Sequence, residues 1–147
     1  MIRYLIDTNL LLYPFDVRDP RKRERAGAVL RVLARKGNAA LSAQVLGEFA
    51  SVALRKLRPP LPPAKVREQV ELLSRAFPVL SLFYPVVVEA LRGVERYRLS
   101  YFDAQLWALA RLRGIPVILS EDFTPGSVLE GVRFLNPLEP DFDLRKL

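Results

Sequence analysis

The 147-residue sequence predicts an α/β fold, a central parallel sheet of four to five strands with helices on both faces. Three observations carry that expectation. Short apolar runs alternate with segments of helical periodicity along the whole chain. Helix start and stop residues stand between them. Half of the residues are hydrophobic, enough to build one core at this length, so residues 1–147 are read as a single domain.

Each element has a local reason. Residues 2–6, IRYLI, form a short apolar run ending at Asp7 and read as a buried strand. Thr8 to Phe15 are largely apolar and reach a proline, which fits a short helix. Asp19-Pro20 supplies an N-cap and a proline at the first helical position. Ala26, Val29, Leu30 and Leu33 then recur at helical spacing, and Gly37 is placed to stop that helix. Residues 39–42, AALS, make a second strand, and Ser42 caps a helix whose buried face carries Val45, Phe49, Val52 and Ala53. Four prolines in RPPLPP, residues 58–63, break that helix and make a loop inside the domain. A helix over 64–76 follows, then a third strand in PVLSL, residues 78–82. Pro85 opens a helix to about Tyr97, and Ser100 opens another that ends at Gly114. PVILS at 116–120 is a fourth strand, and VRFL at 132–135 a fifth.

Composition narrows the chemistry. There is no cysteine, which excludes disulfides, thiol nucleophiles and thiolate metal sites. There is no histidine, which removes the commonest general base and imidazole ligands. An enzyme built from this chain works with carboxylates, hydroxyls, amides, Lys or Arg, and an oxygen-only site for a hard cation suits that set. The net charge of +7 and pI of about 10.1 favour an acidic partner, nucleic acid first among them. No run of eighteen apolar residues occurs and the first residues, MIRYLIDTN, lack the pattern of a signal peptide, so a soluble cytoplasmic protein is the default expectation, with no membrane partner.

Four acids stand out. In open parallel sheets, sites form beyond the carboxyl ends of strands. Asp7 ends the first predicted strand and Asp122 lies just past the fourth. Either could be a plain helix cap or turn residue. Glu48 sits three residues after Val45 and four before Val52, on the apolar face of its helix, where a charge needs a cation or an Arg partner. Asp103 belongs to Ser100-Tyr101-Phe102-Asp103, which also matches a capping box. Thr8 and Asn9 add oxygen-bearing side chains at the same sheet edge as supporting residues. Carboxylates gathered in one pocket repel, and a divalent cation relieves that repulsion while acidifying bound water.

These residues resemble the motifs of the PIN-domain family, particularly the VapC-like toxins of prokaryotic toxin–antitoxin pairs. Ile6-Asp7-Thr8-Asn9 is similar to the first motif, and Ser42 to Phe49, SAQVLGEF, to the second, with Glu48 as its acid. Leu99 to Ala104 is similar to the third, with Asp103, and Ile118 to Phe123 followed by Gly126 to the fourth, with Asp122. The resemblance implies an α/β/α sandwich and a Mg²⁺- or Mn²⁺-dependent endoribonuclease, with Asp7, Glu48, Asp103 and Asp122 binding metal and Ser120 as a supporting hydroxyl near it. It also implies an RNA substrate, a homodimer, and a cognate antitoxin that enters the acidic groove.

Basic residues form two groups. Arg21, Lys22, Arg23 and Arg25 crowd the start of one helix, against its macrodipole, and read as either a solvated face or a backbone contact for RNA. Arg92, Arg96 and Arg98 precede Asp103, and with Tyr101 they are candidate RNA contacts. Val86, Val87, Val88 and Leu91 read first as core and second as a dimer or antitoxin surface. Two rival functions remain open at this point. One is an RNA-binding or scaffold domain without turnover. The other is a phosphatase with an aspartyl nucleophile, which Asn9 disfavours by standing where a second Asp would serve.

Overall fold

In the computed structural model, which describes residues 1–147, the first apolar run becomes β1 (Tyr4–Ile6), buried along its length. Asp7 caps α1 (Thr8–Leu12), and a 3-10 turn at Tyr13–Phe15 extends it. Asp19 opens α2 (Pro20–Lys36) by accepting the Lys22 N–H at 3.0 Å, and Gly37 closes it in the left-handed conformation, φ 65°. β2 (Ala39–Ser42) leads into α3 (Ala43–Arg55), capped by Ser42 Oγ, which accepts the Val45 N–H at 3.0 Å. The proline-rich loop then folds back on α3: Leu57 is buried, and the Leu61 N–H donates to the Ala53 carbonyl at 2.9 Å. α4 (Pro63–Ala76), β3 (Val79–Leu80), α5 (Tyr84–Tyr97), α6 (Tyr101–Arg113) and β4 (Val117–Leu119) follow. A hairpin of β5 (Val128–Leu129) and β6 (Val132–Leu135) completes the sheet.

The sheet has six strands rather than four or five, in the order β3-β2-β1-β4-β6-β5. Five run parallel and β5 adds an antiparallel edge. β5 is two residues long, too short to show a period of two in sequence. Its turn, Glu130-Gly131, has positive φ at both residues (48° and 86°), as a tight hairpin requires. The expected strands at 2–6, 78–82 and 116–120 are each trimmed at their ends.

Helices cover both faces, giving the three-layer sandwich. The chain steps outward from β1 to β3, then returns to β4 on the other side of β1. Right-handed crossovers that reverse in this way place helices on opposite faces. This explains why β1, β2 and β4 read as unbroken apolar runs: both of their faces are covered. The reversal also leaves a crevice between the carboxyl ends of β1 and β4.

α5 and α6 approach unusually closely. A Cβ built on Gly93 would lie 2.8 and 2.9 Å from two ring atoms of the fully buried Trp107. Trp107 is itself fixed, because its indole N–H donates to the Leu129 carbonyl at 3.1 Å. Gly93→Ala should gain helix propensity of about 1 kcal/mol but lose more to overpacking, leaving the fold about 1–2 kcal/mol weaker. A thermal melt followed by circular dichroism should show a drop of a few degrees.

The basic start of α2 has a structural use that the sequence did not suggest. Arg21 donates to the Leu138 carbonyl at 3.1 Å, and Arg25 donates to the carbonyls of Pro137, at 2.9 Å, and Phe142. These cations tie the C-terminal segment to the body of the fold. No helix is long and apolar enough to cross a membrane.

Candidate metal centre

Asp7 stands at the carboxyl end of β1, beside the end of β4. It is 8% exposed, and both of its oxygens are engaged. Oδ1 accepts the Thr8 N–H at 2.7 Å, which is the cap of α1. Oδ2 accepts the Ser120 hydroxyl at 2.7 Å. Ser120 Oγ in turn accepts the Asp122 N–H at 3.0 Å and the Asn9 side-chain amide at 3.4 Å. Asn9 also donates to Asp122 Oδ2 at 3.1 Å. Ser120 thus joins the ends of the two central strands, and Asp7 both caps a helix and faces the crevice. Phe123 stacks on Phe134 with ring centroids 4.0 Å apart, which pins the segment carrying Asp122 to β6.

Asp103 enters from the first turn of α6. The capping-box alternative is not realised, because Ser100 makes no side-chain cap. Carboxylate oxygens of Asp7, Asp103 and Asp122 lie within 4.8 Å of one another, and none of the three is in an ion pair with Lys or Arg. Burial pushes the Asp7 carboxyl up to about 6. The Ser120 and Thr8 hydrogen bonds oppose that rise, and the charges of Asp122 and Asp103 add to it. The Asp122 carboxyl is raised by burial and by the Asp103 charge. Thr8 Oγ1 and Asn9 Oδ1 are buried beside the cluster without hydrogen-bond partners, each at a cost of about 1–3 kcal/mol.

The donor set fits a hard divalent cation. It is made of oxygen alone, it is anionic, and no Lys or Arg is ion-paired to it.

Glu48 stands outside this group of three. It was expected on the apolar face of its helix, yet it is half-buried and hydrogen-bonded by Gln44, one turn back on α3. Gln44 also donates to the Phe102 carbonyl at 3.1 Å and accepts from Gln105, which accepts the Tyr101 hydroxyl at 2.7 Å. Two glutamines therefore tie α3 to the start of α6 and set Glu48 relative to Asp103. Sequence reasoning missed both. Their signal was present in Gln105, a polar side chain in the otherwise apolar helix YFDAQLWALA.

The candidate RNA contacts fare unevenly. Arg92 is committed to Glu89 and to Glu130, at 2.8 Å from the latter, in a network with Arg111 against the β5–β6 turn. Its proximity to Asp103 in sequence does not make it a free cation. Arg96 packs on its neighbour Tyr97. Tyr101 spends its hydroxyl on Gln105, and the exposed aromatic beside Asp103 is instead Phe102. Arg98 alone is exposed and uncommitted, at the left-handed C-cap of α5. Glu121 faces away from the three acids, held by Lys22 at 2.8 Å and by the Tyr13 hydroxyl.

The Ser120 hydroxyl is the group this edge depends on most. Ser120→Ala leaves a buried Asp7 oxygen without its donor and should cost about 1–3 kcal/mol. Chemical denaturation should show a lower midpoint at an unchanged slope.

Comparison with known proteins bears on this site. Residues 4–124 match the sequence pattern of the PIN domain family. The fold is similar to that of VapC20 of Mycobacterium tuberculosis, a sarcin-ricin loop cleaving toxin, at 22% identity and a TM-score of 0.64, covering 81% of this chain and 91% of that one. It is also similar to a chain of a toxin–antitoxin complex from Klebsiella pneumoniae, at 19% identity and a TM-score of 0.66, covering 91% and 97% of the two chains. A chain of DNA-bound VapBC from Salmonella typhimurium matches at 18% identity and a TM-score of 0.65, covering 93% and 99%. At such identities the likeness establishes the fold. No curated protein sequence matches the chain.

Proposed function

This chain belongs to the PIN domain family, and on that premise we propose that it is a divalent-metal-dependent endoribonuclease, the toxin of a toxin–antitoxin pair. One observation carries the reading: three aspartates from separate parts of the sequence converge without a cationic partner. Asp7 is buried, Asp103 half-buried and Asp122 exposed, and a fold gains no stability by gathering two further carboxylates around a buried one. Asp7, Asp103 and Asp122 would hold Mg²⁺ or Mn²⁺. When bound, the ion supplies charge for the phosphodiester oxygens and acidifies a water.

The chain's own groups supply the rest. Asn9 and Ser120 fix the Asp122 and Asp7 carboxylates by hydrogen bonds. Glu48 keeps Oε2 free of any partner within the chain, so it can orient a water or accept its proton. Exposed Arg98 and the net charge of +7 attract the RNA backbone. An antitoxin partner and a homodimer are supported by the toxin–antitoxin assemblies in which similar folds occur. A cytoplasmic location would follow from an RNA substrate.

The test is direct. Purified protein should cut single-stranded RNA with Mg²⁺ or Mn²⁺ present and stop when EDTA removes the ion. Intact RNA under both conditions would overturn the assignment.

A further inference from the structure

A second cavity opens next to the metal centre, between α1 with its 3-10 extension and the last turn of α3. It holds about 350 Å³, within the roughly 300–1,000 Å³ usual for small-ligand sites. Asn9 lines it, and Asn9 also hydrogen-bonds Asp122, so the cavity and the acidic crevice share a wall. The far walls are apolar: Leu12, Val52 and the ring of Tyr13, whose hydroxyl is fixed by Glu121 and Lys22. Lys56 stands at the rim, exposed and free of any ion pair or side-chain hydrogen bond. The other rim charges, Arg18 and Asp16, neutralise each other at 2.9 Å.

We infer that this cavity is a nucleotide subsite, receiving a base of the RNA strand next to the cut, with Lys56 on its phosphate. The inference rests on the ribonuclease reading and gives that site a direction. Single-stranded RNA is held by apolar and aromatic surface under splayed bases and by cations along the backbone, and the cavity offers both. A strand leaving the acids over Asn9 meets the apolar walls first and Lys56 at the edge. A peptide from a partner in the acidic groove would also find apolar walls, but the one uncommitted charge at the rim is the cation Lys56, which favours a polyanion. The plain alternative for Lys56 is a favourable charge at a helix C-terminus, which affects stability and not RNA.

The experiment measures binding of a short end-labelled single-stranded RNA, with Mg²⁺ present, to the Asp103→Asn chain, so that the RNA stays whole. Lys56→Gln added to that background should weaken binding about tenfold and flatten the dependence of log affinity on log salt by about 0.7. Val52→Phe, which fills the cavity, should weaken binding about 5-fold or more without changing that slope. Lys65→Gln, on α4 and 3.7 Å from Glu68, is the charge-matched control and should bind as the parent does. In the otherwise wild-type chain, Lys56→Gln should raise KM for cleavage far more than it lowers kcat. Parent-like affinity and KM in both cavity variants overturn the subsite and leave the ribonuclease reading standing. A wild-type chain that neither binds nor cuts RNA overturns both.

Discussion

Asp103→Asn should lower the metal-dependent rate of RNA cleavage by more than about 100-fold while leaving the melting temperature close to that of the wild type. The carboxylate accepts no hydrogen bond within the chain and makes no ion pair, and its favourable place in the first turn of α6 is offset by repulsion from Asp7 and Asp122. Asn preserves its volume and its place in the first turn of α6. Asp7→Asn should be equally inactive but different in stability. Asp7 is buried as an acid whose pKa is raised from 3.8 to about 6. The folded state therefore binds its proton more tightly than the unfolded state does. That favours folding in full below about pH 4, and the advantage disappears as pH rises through about 6. At neutral pH the ionised, metal-free group costs the fold about 3 kcal/mol, which a neutral amide avoids. The amide gives up one of the two accepting oxygens, which offsets part of that gain, so thermal melts in EDTA should show Asp7→Asn up to a few degrees above the wild type at pH 7, with the gap closing at pH 4. Wild-type cleavage by either variant would remove the metal centre from the mechanism.

Addition of Mg²⁺ or Mn²⁺ should raise the melting temperature of the wild-type chain, because an ion that binds only the folded state stabilises it. At a concentration of about 100 times Kd the gain is about 2.7 kcal/mol, or roughly 5–10 °C for a chain of this size. The sign of the pH dependence follows from Asp7 and Asp122, both raised by burial and by neighbouring acids. Protons and the cation compete for the same oxygens, so the shift should be large at pH 7 and small at pH 5. Asp103→Asn should abolish most of it. A shift of equal size in that variant would place the stabilising ion elsewhere.

Much of this site was legible without coordinates, for reasons that differ by residue. Asp7 and Asp122 could be placed because an apolar run ending in an acid marks a strand end, and strand ends of parallel sheets share one edge. Ser120 was marked by the resemblance to the PIN family and bridges Asp7 and Asp122. Glu48 was placed on a buried face by its spacing from Val45 and Val52, but a helix face spans a wide arc. The packing of α3 turned that side chain toward Gln44 and kept it outside the group of three. Arg92 was expected to serve the RNA because it is near Asp103 in sequence. In the structure its guanidinium is paired with Glu130, 38 residues away, which no local pattern reveals.

The sequence by itself determined the helices and all strands but β5, with the helix ends sharper than the strand ends: Asp19 and Ser42 cap helices, Gly37 and Gly114 stop them, and apolar runs become buried strands. These depend on dihedral preferences and hydrogen bonds within a few residues, so a short window contains the cause. Only the tertiary structure decided which acids meet, which arginines are spent on partners, and that a cavity shares Asn9 with the crevice. Those outcomes depend on how far each helix is rotated and where each crossover returns, which is fixed by packing among residues distant in the chain.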